Sequence, residues 1–182
     1  MATAVRPNHA IAGSNADGVR WYACLTRARS EKRVAAGLIG RSVTAFLPTV
    51  TLVRSWSDRQ KEVAFPLFPG YVFARFALAE LHRVLAVPGV ATVVRFGSRP
   101  VAIRDEEIEN IERVAAGCSA TGAHPAPQPF RKGELVRVVE GPFEGVRGTV
   151  IELRGQRRLL TGLEAIELAV SIDVDLRVLA PA

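Results

Sequence analysis

Few residues in this chain are of types that do bond chemistry, and their spacing argues against it. The three histidines, His9, His82 and His124, fall in an N-terminal tail, a helical stretch and a proline-rich segment; the two cysteines, Cys24 and Cys118, stand far apart. Two such cysteines, in no ligand spacing, make neither a zinc site nor a disulfide framework, so both thiols are expected to be reduced, Cys24 in the core. There is no phosphate loop of the GxxxxGK[ST] type, no GxSxG elbow and no HExxH helix. The acidic group Asp105, Glu106, Glu107 and Glu109 has the composition of a metal site. It also opens a helical pattern, where the positive end of the helix dipole accounts for it more simply. The expectation is a protein that is not an enzyme and uses no cofactor and no metal.

What the chain offers instead is binding chemistry. The net charge is +6, yet residues 20–104 carry fourteen Lys and Arg against four Asp and Glu, whereas residues 118–182 carry eight of each. Almost all the bases are arginine, whose planar fork of donors suits phosphate, and a field of this sign favours a polyanion. The second resource is the stretch FPLFPGYVFARF, residues 65–76. It holds Phe65, Phe68, Tyr71, Phe73 and Phe76, five of the twelve aromatics in the chain. Along a strand, alternate side chains take opposite faces, so Tyr71, Phe73 and Arg75 share one side and Val72, Ala74 and Phe76 the other. Both sides are apolar. Either the strand is covered twice within its own domain, or the Tyr71 and Phe73 side is an exposed docking patch with Phe68 on its rim.

The elements that carry these residues follow from periodicity. WYACLT (21–26) reads as a strand and SEKRVAAGLIG (30–40) as a helix with Ser30 as N-cap and Val34, Leu38 and Ile39 on one face. AFLPT and VTLVRSW are strand-like, and a polar SDRQ turn (57–60) leading into KEVAF makes a projecting hairpin. GYVFARF (70–76) is a strand, LAELHRVL (78–85) a short helix with Leu81, Val84 and Leu85 inward, and ATVVRF (91–96) a strand. DEEIENIERVAAG (105–117) is a helix burying Ile108, Ile111 and Ala115, with Gly117 as its stop. Then GCSATGAHPAPQPF interrupts all periodicity with three prolines and reads as a linker. After it, ELVRVVEGPFEGVRGTVIEL alternates and turns like a small β-barrel. The reading is an α+β chain: a flexible tail over 1–19, an N-terminal domain over 20–117 with an antiparallel-rich sheet and flanking helices, a linker over 118–129, and a five-stranded SH3-like barrel over 130–182. No apolar run approaches the length of a membrane helix and the first twenty residues lack a secretory signal, so the chain is expected in the cytoplasm.

LFPGYVF (67–73), WY (21–22), PGV (88–90), VVRFGSRP (93–100) and DEEI (105–108), in this order and spacing, resemble the N-terminal domain of the NusG family of transcription elongation factors. PLFPGYVF and VVRFG are closer to its specialised RfaH branch. FRKGELVRVVEGPFEGVRGTVIEL (130–153) is similar to the KOW module that ends such proteins, and together the matches span residues 21–178. The resemblance implies a factor without catalysis that rides on transcribing bacterial RNA polymerase, packing the aromatic face of its sheet on the clamp helices of the largest subunit. Carried over by position, Phe68, Tyr71 and Phe73 are the docking residues, with Tyr22 as a further one. His82 matches a histidine of the RfaH branch that reaches the opposite polymerase subunit across the cleft, although the threonines that follow it there are replaced by Arg83 and Val84. Arg27, with Arg29, Arg33 and Arg41 nearby, matches a surface that touches the non-template DNA strand; base contacts do not carry over, because Gly37 and Gly40 stand at other contact positions.

In the family the KOW module binds a ribosomal protein, and in NusG also Rho. The partner-binding residues that correspond are Phe143, Leu163 and Ile166, in a module that is electrically neutral and therefore suited to protein more than to bare RNA. GLEAIELAVSID (162–173) lacks the aromatic found there in NusG, which places the ribosome and Rho contacts in question. RRLLTGLEAIELAV has some helical periodicity through Leu159, Leu163 and Ile166, but Gly162 and the β-rich sequence before it favour strand. The leading expectation is a monomeric specialised paralogue promoting processivity and antitermination on particular operons. A housekeeping elongation and termination factor is the second, and an RNA-binding or ribosome-associated KOW protein that never meets polymerase the third.

Overall fold

A computed structural model describes residues 18–56, 59–129, 133–153 and 156–182. Most of the expected N-terminal tail, with His9, and the first half of the SDRQ turn lie outside the described residues, as do residues 130–132. The elements run β1 (Val19–Thr26), α1 (Glu31–Ile39), β2 (Thr44–Phe46), β3 (Thr49–Trp56), β4 (Arg59–Pro66), β5 (Tyr71–Ala77), α2 (Leu81–Leu85), β6 (Val90–Val93), β7 (Arg95–Phe96), β8 (Arg99–Pro100), β9 (Ala102–Ile103), α3 (Asp105–Thr121), β10 (Ala126–Pro129), β11 (Leu135–Val138), β12 (Arg147–Leu153), β13 (Gln156–Leu163), β14 (Leu168–Ile172) and β15 (Leu179–Pro181). They sort into two compact units, one of the described residues up to Leu47 with Phe68–Asp105, the other of Pro48–Leu67 with Glu106–Ala182.

The first unit is an antiparallel sheet ordered β2-β5-β1-β6, with β9 also on β1. Its core lies on the side of Val72, Ala74 and Phe76. There Val34 and Leu38 of α1 and Val84 of α2 close over Tyr22, Cys24, Val43, Ala45 and Val93. Ile39 and Leu85, expected inward, are 43% and 39% exposed. Each is the last residue of its helix. Ser30 does hold the N-cap position of α1, but its side chain makes no capping bond; the Ser30 hydroxyl instead accepts from the Arg33 guanidinium at 3.3 Å.

In the second unit β3 and β4 form the expected hairpin, in register from Thr49 opposite Pro66 to Trp56 opposite Arg59. A six-stranded antiparallel sheet follows, ordered β10-β14-β13-β12-β11-β15. RRLLTGLEAIELAV is strand on both sides of a short 3-10 turn, and Leu160 and Ala169 pack with Ile151. The expected linker is ordered at both ends. α3 runs on through Gly117 to Thr121, burying Cys118, and Ala126–Pro129 pair with β14. Pro127 and Pro129 are tolerated there because β10 is an edge strand, where a missing N–H breaks no ladder.

Two side chains of α3 fasten it within this unit. The Asn110 amide donates to the Arg147 carbonyl at 2.8 Å and to Thr161 Oγ1 at 2.7 Å, while its oxygen accepts from the Arg147 N–H at 2.8 Å. Ser119 Oγ accepts from the Thr51 N–H at 3.1 Å, tying the helix to the hairpin. No helix among the described residues is long and apolar enough to cross a membrane.

Candidate docking face and basic surface

The corner before β5 positions the aromatic residues. In Phe68-Pro69-Gly70-Tyr71 the Tyr71 N–H returns to the Phe68 carbonyl at 3.2 Å, and Gly70 has φ +85. Proline second and a positive-φ glycine third are what a type II turn demands. Such a turn leaves the third N–H unused, and here it donates to the Glu31 carboxylate of α1 at 2.8 Å, while the Gly70 carbonyl accepts from Thr26 of β1 at 2.8 Å. Helix, strand and turn are thus locked at one point. Glu31→Ala leaves that N–H without its partner and is expected to lower stability by about 1 kcal/mol in urea unfolding, with Glu31→Gln restoring most of it.

Register then decides which residues join Tyr71 and Phe73. In β1, Leu25 faces Tyr71, Ala23 faces Phe73 and Trp21 faces Arg75; in β2, Phe46 faces Phe73. Directly opposed residues share a face, so Trp21, Phe46 and Phe73 form a row. Ring centroids are 6.5 Å apart for Trp21 and Phe46, 6.2 Å for Phe46 and Phe73, and 6.1 Å for Phe73 and Phe68, the first and last pairs edge to face. This row lies opposite the face that α1 and α2 cover.

Tyr22 is corrected by the same register. It pairs with Ala74 and sits in the helix-covered core, its ring 4.7 Å from Phe76, and burial raises its phenol pKa against a smaller opposing pull from Arg20. It is therefore not on the face of Tyr71 and Phe73. Trp21, one residue earlier, is the one that is, since a shift of one residue along a strand exchanges faces. The idea of an exposed patch is corrected as well: Phe68 is 2% exposed and Phe73 0%, while Tyr71, Leu25 and Phe46 are half-buried.

The arginines divide into two groups. Arg27, Arg29 and Arg33 are exposed around the start of α1, with Arg27 N–H on the Gly89 carbonyl at 2.8 Å and Arg29 in a left-handed conformation at φ 57. Arg41 stands beyond the other end of that helix, beside α2, where the Arg83 guanidinium donates to the Arg41 carbonyl at 2.8 Å. His82 is exposed on α2, its Nδ1 3.1 Å from the Ala79 carbonyl.

Of the three KOW residues, two are buried inside their unit. Phe143 is 6% exposed and packs against Gly117 of α3; Leu163 is 0% exposed. Their sequence setting in turns suggested surface, but α3 lies on the first, and the second, the last residue of β13, is turned inward. Ile166 remains half-exposed on the 3-10 turn. Burial also pushes the Cys24 thiol up to about 12 and the Cys118 thiol up to about 11, so neither is a thiolate near neutrality.

Residues 19–112 match the family model described as transcription termination factor nusG. A transcription termination/antitermination protein NusG from Thermus thermophilus is 32% identical over 175 residues, which cover 85% of this chain and 95% of that protein. Its counterpart from Yersinia pestis is 29% identical over 176 residues, covering 89% and 96%. Among solved structures, one described as domain interaction in Thermotoga maritima NusG is similar with a TM-score of 0.48 at 24% identity, covering 90% of this chain and 97% of that one.

Proposed function

This chain belongs to the NusG family of transcription termination and antitermination proteins, and from that membership we propose that it works by docking, without catalysis of its own, on transcribing bacterial RNA polymerase. The observation that carries the reading is the aromatic row of Trp21, Phe46, Phe73 and Phe68 on the sheet face opposite α1 and α2. A helix laid on an aromatic surface is a recurrent mode of recognition, and the clamp helices of the largest polymerase subunit are the proposed occupant. Tyr71, Leu25 and Phe46, half-buried, are the residues such a partner meets, with Phe68 and Phe73 packed behind them. His82, exposed on α2, is the proposed contact to the opposite subunit. A factor bridging the cleft in this way holds the clamp closed and suppresses pausing by mechanics alone.

Arg27, Arg29 and Arg33 supply phosphate attraction for the non-template DNA strand, a contact that positions without reading bases. In the C-terminal unit Ile166 is the accessible member of the partner-binding set, for a ribosomal protein or Rho. The ringless stretch 162–173 and the VVRFG segment support a specialised paralogue serving particular operons over a housekeeping factor.

The test is binding of the full chain to purified bacterial RNA polymerase, comparing wild type with Tyr71→Ala after both are shown folded by circular dichroism. Tyr71→Ala is expected to weaken binding by about tenfold or more, the scale of an aromatic anchor at an interface. Equal binding by the two proteins moves the dock away from this face. No binding by wild type, together with tight binding to RNA, hands the function to the RNA-binding reading.

A further inference from the structure

Phe96 is 87% exposed, the most exposed of the large apolar side chains among the described residues. It stands on the two-stranded β7–β8 hairpin, where Arg95 is opposite Pro100 and Phe96 opposite Arg99, closed by the two-residue turn Gly97-Ser98. Phe96 and Arg99, being directly opposed, share a face of the hairpin. The Arg95 guanidinium donates to Thr92 Oγ1 at 3.2 Å, which anchors it at the base. From Leu81 to Arg104 the sequence holds four arginines and no aspartate or glutamate.

A protein-docking patch is built from several apolar side chains gathered together. Here one ring shares its face with Arg99 and is followed by Gly97 and Ser98, while Arg95, one residue earlier in the strand, takes the opposite face, so this face of the hairpin offers one flat π-surface and one cationic fork. That is the chemistry of a base and its adjoining phosphates: aromatic rings stack on bases regardless of sequence, and arginines track the backbone. A duplex keeps its base faces stacked inside, which leaves the single strand as the fitting ligand. We propose that the β7–β8 hairpin is a stacking site for single-stranded nucleic acid, Phe96 lying against one unstacked base while Arg99, on the same face, contacts a flanking phosphate. The site uses none of Arg27, Arg29, Arg33 or Arg41 and is independent of the polymerase dock.

The test titrates the full chain into a fluorescein-labelled oligothymidylate, an oligouridylate and a blunt duplex, by anisotropy at low salt. Phe96→Ala is expected to weaken single-strand binding about tenfold and to leave duplex binding unchanged. Phe96→Trp is expected to keep the affinity, with its indole fluorescence quenched as the base stacks. Arg99→Gln is expected to flatten the salt dependence by about 0.7 of a unit of slope, and Arg95→Gln, on the opposite face, to change it less. Tighter binding of one oligonucleotide than the other assigns the site to DNA or to RNA. Equal single-strand binding by wild type and Phe96→Ala overturns the proposal, as does failure of wild type to bind either oligonucleotide. Displacement by polyglutamate that depends on Phe96 to the same degree overturns it in favour of an acidic protein partner. An unquenched Phe96→Trp also overturns it, and this result stands whether or not Phe96→Ala alters folding.

Discussion

Phe73→Ala is expected to cost about 3–5 kcal/mol of stability, the range for truncating a fully buried phenylalanine. Phe73 is 0% exposed, and its ring packs against both Phe46 and Phe68, so truncation removes two aromatic contacts and leaves a cavity between three strands. Each lost ring pair adds about 0.5–1.5 kcal/mol beyond the area term. Phe73→Leu fills most of the volume and is expected to cost about 1 kcal/mol. Urea unfolding of the full chain followed by circular dichroism gives both numbers. A loss below about 1 kcal/mol for the alanine variant means that the ring is not packed in solution and that the face stands open without a partner. The size of this effect is also why Tyr71, half-buried at the rim, is the residue that separates docking from folding.

The second large effect is expected at Gly117, where two terms of opposite sign compete. Alanine in place of a mid-helix glycine gains about 1 kcal/mol of helix propensity. At this position, however, a Cβ meets Phe143 Cδ1 at 2.4 Å, Phe143 Cε1 at 2.6 Å and the Pro142 carbonyl oxygen at 2.7 Å. The ring can turn away, but the Pro142 oxygen belongs to the backbone of a tight turn, held by the Glu144 N–H on the Gly141 carbonyl at 3.0 Å and the Gly145 N–H on the Val138 carbonyl at 2.9 Å. Overpacking of this kind costs about 1–3 kcal/mol, so Gly117→Ala is expected to be destabilising on balance and Gly117→Val to lose about 3 kcal/mol. Phe143→Ala by itself is expected to cost about 3–5 kcal/mol as the truncation of a buried ring; on that background Gly117→Ala costs less than in wild type, because the ring clash is gone, but still costs something, because the oxygen clash remains. Melting curves of the two glycine variants, Phe143→Ala and the Gly117→Ala, Phe143→Ala double variant distinguish these terms; a Gly117→Ala variant more stable than wild type means that α3 does not lie on the Pro142-Phe143 turn.

Family membership and the α+β organisation were legible because they rest on short motifs and on local periodicity. GYVFARF alternates, and its Tyr71 and Phe73 do share a face opposite Val72 and Phe76. Pro69-Gly70 carries its turn type in two residues, and the apolar stripe of Ile108, Ile111 and Ala115 is buried as its spacing requires.

Tertiary structure decided what depends on residues distant in sequence. Whether Tyr22 or Trp21 joins Phe73 turns on the pairing of β1 with β5, some fifty residues apart in the chain, and no local pattern encodes a one-residue register. Gly117 reads as a helix stop by itself, but packing against Phe143 uses its missing side chain in mid-helix instead. Prolines at 127 and 129 read as linker until an edge strand is there to accept them. Phe68, Phe143 and Leu163 look like surface anchors by residue type and turn setting, yet each is buried. Burial is a property of what the folded chain brings over a residue. The sequence by itself determined the family, the strand faces and the turn chemistry, because these are short-range; which apolar side chains are covered was settled only by long-range packing.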